Sequence, residues 1–178
     1  MLHWWPFKVN YSEWINTVPA EIRQDALWNQ QVYPLSLFAA DLGWSDTSKL
    51  FRDGRTLKLS AQLFDAVGSI GANISEGYSR GYQKDRARFY EYALGSAREN
   101  RTWYFDARHV LGDAVMRHRI SLHTHIIGLL LKMLPSTRGY ALHEPDPMGA
   151  LEMTDEFEPP ASGELQTLLE LIPMPDAE

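Results

Sequence analysis

Between residues 59 and 74 the chain sets Leu59, Leu63, Ala66, Val67, Ile70 and Ile74 mostly three or four residues apart. That spacing places all six on one face of an α-helix. The same segment carries Gly68, Gly71 and Ala72. A glycine costs an isolated helix up to ~1 kcal/mol against alanine, so a buried helix that keeps two of them implies a neighbouring backbone at close range. A second stripe offers that neighbour: Phe89, Ala93, Ser96, Ala97, Asn100, Tyr104, Ala107 and Leu111, small in the middle where it can face the glycines. Long helices pressed together in this way point to an architecture of helix packed on helix.

The flanking segments extend the pattern. Asn16 or Thr17, then Pro19 and Glu21, reads as a helix start: a capping oxygen, a proline near the first turn and an acid at the positive end. The predicted helix covers residues 20–43, with Ile22, Leu27, Val32, Leu35, Phe38 and Leu42 toward the core. Pro34 kinks it or divides it in two. Ser45-Asp46-Thr47 offers a cap for a second helix over residues 47–76, ended by a left-handed Gly77. The third helix is predicted over Gln83–Leu111 and broken by Gly112-Asp113. The fourth is predicted over residues 114–134, with Met116, Ile120, Ile127, Leu130, Leu131 and Leu134 inward and Pro135 as its stop. Four amphipathic helices on short turns predict an all-α, antiparallel up-down-up-down four-helix bundle.

Three regions follow. Residues 1–19 form an aromatic N-terminal extension, irregular up to residue 16; residues 20–140 form the bundle; residues 141–178 form an acidic, proline-rich tail. The tail holds ten Asp/Glu and no Lys/Arg, a composition that predicts disorder. The leucines of residues 164–172 interrupt it and predict a short helix, too short to stand alone. The net charge of −6 hides an asymmetry, because residues 51–140 carry fourteen Lys/Arg against eight Asp/Glu. Binding follows the local field rather than the total, so this middle segment argues for a polyanionic partner.

Several chemistries are excluded or unsupported. The absence of cysteine rules out disulfides and cysteine-ligated zinc. The N-terminus lacks a signal-peptide pattern. The longest apolar run, residues 126–131, falls far short of the roughly 18 residues that span a bilayer. A soluble, cytoplasmic protein with no membrane partner is expected. A di-metal bundle site needs paired Glu-x-x-His motifs, and the nearest match is the single Asp106-Ala107-Arg108-His109. His118, His123 and His125 contain no i, i+4 pair suited to a metal. Phosphate-binding glycine loops and Gly-x-Ser-x-Gly are missing. The Asn73-Ile74-Ser75 acceptor pattern has no secretory context. No catalytic residue, metal or cofactor is expected.

The sharpest functional signal is basic. Lys84, Arg88, Arg98, Arg101 and Arg108 fall near one face of the third helix, with Arg80 and Arg86 beside the preceding turn. Cations spaced along a helix match a phosphate backbone without reading sequence. The interleaved Tyr82, Tyr90, Tyr92 and Trp103 offer rings on which unpaired bases stack. The competing reading is a solvated face neutralised by Asp85, Glu91, Glu99 and Asp106, which belongs to a protein-only scaffold. Glu76 has no nucleophile or metal partner nearby to make it a general base. The structural reading has Asn73 bonding across a helix interface and Glu76 ordering the turn through backbone donors or Arg80. Aromatic residues beyond one core's needs predict a subunit interface.

Gln62-Leu63, Ser69-Ile70, Asn73-Ile74, Glu76-Gly77 and Gly95-Ser96-Ala97-Arg98-Glu99 stand in an order that resembles the small four helix bundle protein family. That family includes the protein encoded in the intervening sequence of some bacterial large-subunit rRNA genes. It also includes the accessory variability determinant of diversity-generating retroelements. The likeness covers residues 25–134 and is most specific over residues 62–112. It implies an antiparallel four-helix bundle in which Ser69, Asn73, Glu76 and Gly77 are structural. It further implies a homopentamer whose basic surface contacts RNA or DNA, single-stranded DNA included, and which serves a reverse transcriptase or another partner enzyme. The aromatic N-terminus and the acidic tail depart from the family pattern.

Overall fold

The computed structural model of the chain describes residues 10–138 and 162–175. Trp4, Trp5 and Phe7, and the disorder expected of residues 141–161, lie outside the described residues. Among those described, every regular element is helical. Short helices α1 (Tyr11–Thr17) and α2 (Ala20–Arg23) and a 3-10 turn (Ala26–Asn29) lead into four long ones. These are α3 (Val32–Leu50), α4 (Leu57–Tyr78), α5 (Gln83–Leu111) and α6 (Asp113–Arg138); α7 (Ser162–Glu170) comes last.

Residues 10–17, expected to be irregular up to residue 16, form a capped helix. Asn10 accepts from the Glu13 amide at 3.0 Å while its own amide donates to the Glu13 carboxylate at 3.2 Å, a reciprocal capping box that starts α1. The helix buries Trp14, whose indole N–H donates to Asp41 at 2.6 Å and whose ring packs on Tyr11, Trp28 and Phe38.

The helix expected over residues 20–43, kinked or divided at Pro34, is instead α2, the 3-10 turn and the start of α3, and the division falls before Pro34. Neither Asn16 nor Thr17 caps it: Pro19 holds the N-cap position of α2 with no side-chain bond. Asp25 accepts from the Leu27 amide at 2.8 Å and opens the 3-10 turn. Pro34 then falls in the first turn of α3, where its missing N–H costs nothing. The expected boundary at Ser45-Asp46-Thr47 is absent as well. Thr47 donates to the Gly43 carbonyl at 2.7 Å and Ser48 to that of Trp44 at 2.7 Å. Bonded back along the helix, these side chains continue it rather than cap its successor. The break comes at residues 51–56, where the Thr56 hydroxyl donates to the Leu50 carbonyl at 2.5 Å.

Glycines act by close approach, and against a different neighbour from the one expected. A Cβ on Gly71 would stand 3.0 Å from Ser36 Oγ, and one on Gly43 2.9 Å from Val67 Cγ1, so these two glycines mark a close approach of α3 and α4. Gly68 faces open space. Gly77 is not left-handed but helical, inside α4; a Cβ there would stand 2.8 Å from Tyr90 Cε1. Among the described residues the positive-φ glycine is Gly112, at 84°, which ends α5 where the sequence predicted. Pro135 does not end α6, which runs on to Arg138. The buried Leu130 and Leu134 anchor the last apolar turn and carry the helix past the lost amide.

α5 packs chiefly on α4 and α6, and α3 on α4, with slighter α3–α6 and α3–α5 contacts. Gly71 meets Ser36 while Ser60 donates to the Thr47 carbonyl at 2.9 Å, so α3 and α4 run antiparallel. Among the described residues two apolar clusters result. The larger gathers Trp14, Phe38, Val67, Ile70, Leu122 and Ile126 among others; the smaller holds Leu50, Leu63, Tyr104, Ala107, Leu111 and Val115.

Candidate nucleic-acid interface

α5 repeats every 3.6 residues, and this separates the predicted basic stripe into two groups. Lys84, Arg88 and Arg98 are exposed, opposite the buried Ala93, Ala97, Asn100, Tyr104 and Ala107. Arg101 turns into the α5–α6 seam, where Nη1 donates to Thr124 Oγ1 at 3.3 Å. Arg108 folds back over its own helix: Cζ lies 4.0 Å from the Phe105 ring centroid and Nη1 donates to the Phe105 carbonyl at 2.6 Å. Arg86 Nη2 donates to the Arg80 carbonyl at 2.9 Å. Arg80 pairs with Glu76 and sits 4.9 Å over the Phe89 ring. Arg80 and Arg86, with Glu76 and Phe89, knit the α4–α5 turn together.

Exposed rings accompany the outward cations. Tyr82 is 80% exposed and Tyr92 45%. Arg88 Nε donates to the Tyr92 hydroxyl at 2.6 Å, so ring and cation present one mixed surface. Tyr90 is buried, which removes it from the predicted stacking set. The Trp103 indole donates to Glu99 at 3.2 Å. Asn73 donates to the Ser69 carbonyl at 2.8 Å and Ser69 to that of Asp65 at 2.8 Å. Asn73 thus bonds within α4, not across an interface.

The polar feature that the sequence reading missed lies inside. Asp46, Tyr104 and Arg119 expose no surface. Asp46 Oδ2 accepts from Arg119 Nε at 2.8 Å and from the Tyr104 hydroxyl at 3.0 Å, and Oδ1 accepts from Arg119 Nη2 at 3.2 Å. Burial, with the Asp46 charge beside it, pushes the Tyr104 hydroxyl well above its ordinary value. His118 Nδ1 accepts from Arg119 Nη1 at 2.8 Å; burial first, then the guanidinium, lowers its pKa to about 4. His123 Nδ1 donates to the Arg119 carbonyl at 2.7 Å, and burial lowers its pKa to about 4 as well. Its Nε2 and the Asn100 Oδ1 are buried without a partner among the described residues. Closed to solvent, Asp46, Tyr104 and Arg119 serve structure. The sequence did hold a signal. Asp46 lies four residues from Leu42 and Leu50, and Arg119 continues the spacing of Val115, Leu122 and Ile126. Two opposite charges thus occupy core positions on different helices. Arg119 also belongs to the cations counted over residues 51–140, and its charge is spent inside.

No group of three or more potential metal ligands converges among the described residues. No described helix is long and apolar enough to cross a membrane. Residues 29–112 match the family model of the 23S rRNA-intervening sequence protein. The matched segment begins at the end of the 3-10 turn and covers α3, α4 and α5. It therefore contains Asp46, Tyr104 and all seven predicted basic residues, while Arg119 and α7 lie beyond it. No curated protein and no solved structure matches the chain.

Proposed function

We propose that the chain is a non-enzymatic, oligomeric nucleic-acid-binding accessory protein. Helices α3–α6 act as an up-down-up-down four-helix bundle, and Lys84, Arg88 and Arg98 on the outer face of α5 hold the phosphates of RNA or single-stranded DNA. The observation that carries this reading is the exposure of those three cations on one helix face, together with the open rings of Tyr82 and of Tyr92, whose hydroxyl Arg88 holds. Cations supply a sequence-tolerant grip on phosphate, and flanking rings add stacking that every base can use. Trp44, Phe51, Leu57 and Phe64 are all exposed near the α3–α4 turn, with the Trp44 and Phe64 rings 5.8 Å apart. Such a patch suits a subunit interface, and a homopentamer, as the resemblance implies, would multiply a weak basic face by avidity. The partner enzyme in this reading is one that works on nucleic acid, a reverse transcriptase by the same resemblance.

The alternative is a protein-only scaffold. It draws on Arg80, Arg86, Arg101 and Arg108, whose guanidinium groups are engaged within the chain. Fluorescence anisotropy with labelled single-stranded RNA separates the two. About three phosphate contacts per protomer give a log–log salt slope near −2, and reversing Lys84, Arg88 and Arg98 to Glu abolishes binding without loss of fold. A folded protein that retains no RNA at low salt establishes the scaffold.

A further inference from the structure

Residues 162–175 lie against the body of the protein. α7 packs on α6 and α1, and Leu168, Leu169, Ile172 and Met174 rest on the larger apolar cluster. Two adjacent side chains of α6 meet the backbone of this segment. A guanidinium can only donate, so the Arg119 Nη1–His118 Nδ1 bond leaves the ring proton of neutral His118 on Nε2, which meets the Leu168 carbonyl at 2.8 Å. That carbonyl belongs to the last turn of α7, where a helix leaves its acceptors unpaired. Arg119 Nη2 donates to the Pro173 carbonyl at 3.1 Å, just beyond the helix. One histidine thus caps a helix end, and one arginine holds the extended chain that follows.

We propose that this surface is a peptide-recognition groove, and that residues 162–175 are its resident ligand, docked from the same chain and detachable without loss of the body's fold. The receptor is complete by itself. Asp46 holds Arg119 through Nε and Nη2, and Arg119 orients His118, with or without the segment. On release, the two donors facing Leu168 and Pro173 pass to water, and no buried charge loses its counter-charge. The ligand is built differently. Its apolar contacts are only partly buried, Leu171 is 70% exposed, and a helix of 9 residues is too short to be stable undocked. Residues 139–161 join it to α6 over a contour on the order of 75 Å. Chain continuity therefore does not dictate where the segment sits, and tethering supplies an effective concentration in the millimolar range.

The test uses the full chain carrying Leu169→Asp and Ile172→Asp, mixed with a fluorescein-labelled synthetic peptide of residues 162–175. The released variant keeps a cooperative melt and binds the peptide saturably. Wild-type protein binds it at least ~10-fold more weakly, because its own segment competes at high effective concentration. A folded variant that ignores the peptide, or equal binding by both proteins, overturns the proposal. A second protein, full-length with a protease site inserted within residues 139–161, decides the matter if the variant does not fold. After cleavage and dilution the C-terminal fragment separates from a body that still melts cooperatively. A fragment that never exchanges with labelled peptide, or a body that unfolds once it leaves, makes the segment an integral part of the core.

Discussion

Arg119 Nε donates to Asp46 Oδ2 at 2.8 Å across 73 residues of sequence, and neither side chain exposes any surface. Asp46 stands in α3 between Leu42 of the larger apolar cluster and Leu50 of the smaller. Arg119 stands in α6 between Leu122 and Val115, again one from each cluster. A charged layer therefore separates two apolar ones. Sliding α3 along α6 by one turn would strand both charges in hydrocarbon, so the pair sets the register of the two helices.

Removing one partner leaves the other charged and buried. Asp46→Ala is expected to cost about 3–5 kcal/mol in urea unfolding, whereas the apolar double change Asp46→Leu with Arg119→Met recovers most of that loss. A single variant within about 0.5 kcal/mol of wild type, the range of an ordinary surface change, would contradict a buried, mutually compensating pair.

Two glycines of α4 predict opposite signs. Alanine at Gly77 must push its methyl into the Tyr90 ring, 2.8 Å from Cε1, and overpacking of that kind costs about 1–3 kcal/mol. Alanine at Gly68 meets nothing within 4 Å and should stabilise by about 0.5–1 kcal/mol through helix propensity. Thermal melts of the two variants, read against wild type, check both signs.

Stability should fall with acid before most carboxylates titrate. His118 and His123 have pKa values of about 4 in the folded chain against 6.5 ordinarily. A depressed folded value means that the unfolded chain takes up the protons. The stabilisation is whole above about pH 7 and declines through 6.5 toward 4, at up to about 1.4 kcal/mol per pH unit for each histidine. Urea midpoints between pH 7 and 5 should show that slope, and His118→Gln should roughly halve it. A flat profile, or imidazole NMR signals for these two residues that titrate near 6.5, would refute the assignment.

If the Trp44–Phe64 patch joins subunits, charge placed there should separate them. Phe51→Glu, at a position 68% exposed, is expected to leave the melt within about 0.5 kcal/mol of wild type, as surface changes do, and to lower the mass seen by light scattering. Unchanged mass in a folded variant, or a monomeric wild type at micromolar concentration, removes the patch from the proposed assembly.

How legible each element was depended on the range of the forces that shape it. α5 was read to the residue because its evidence is local: a 3.6-residue stripe and a glycine that takes φ 84°. The stripe of α4 was legible for the same reason, as Leu63, Ala66, Val67, Ile70 and Ile74 are all buried. The capping box of Asn10 and Glu13 is equally local, but it lies in a segment whose aromatic content by itself points to an irregular extension. The basic residues were found by type, but which of them face solvent was not, since Arg101 needed Thr124 of another helix to draw it into the seam.

Helical class, long amphipathic faces and the concentration of positive charge in the middle of the chain follow from periodicity and composition, which act over a few turns. What Ser45-Asp46-Thr47 does depends on long-range packing. A capping triplet and a back-bonded helical triplet make equally good local hydrogen bonds. The choice went to the continuous α3 because that alone carries Asp46 inward to a guanidinium 73 residues away. The C-terminal segment was decided in the same way. Its leucines announced a helix, but α7 is held by His118, Arg119 and the apolar surface of α6 and α1. A helix too short to hold itself takes its place from the surface that receives it.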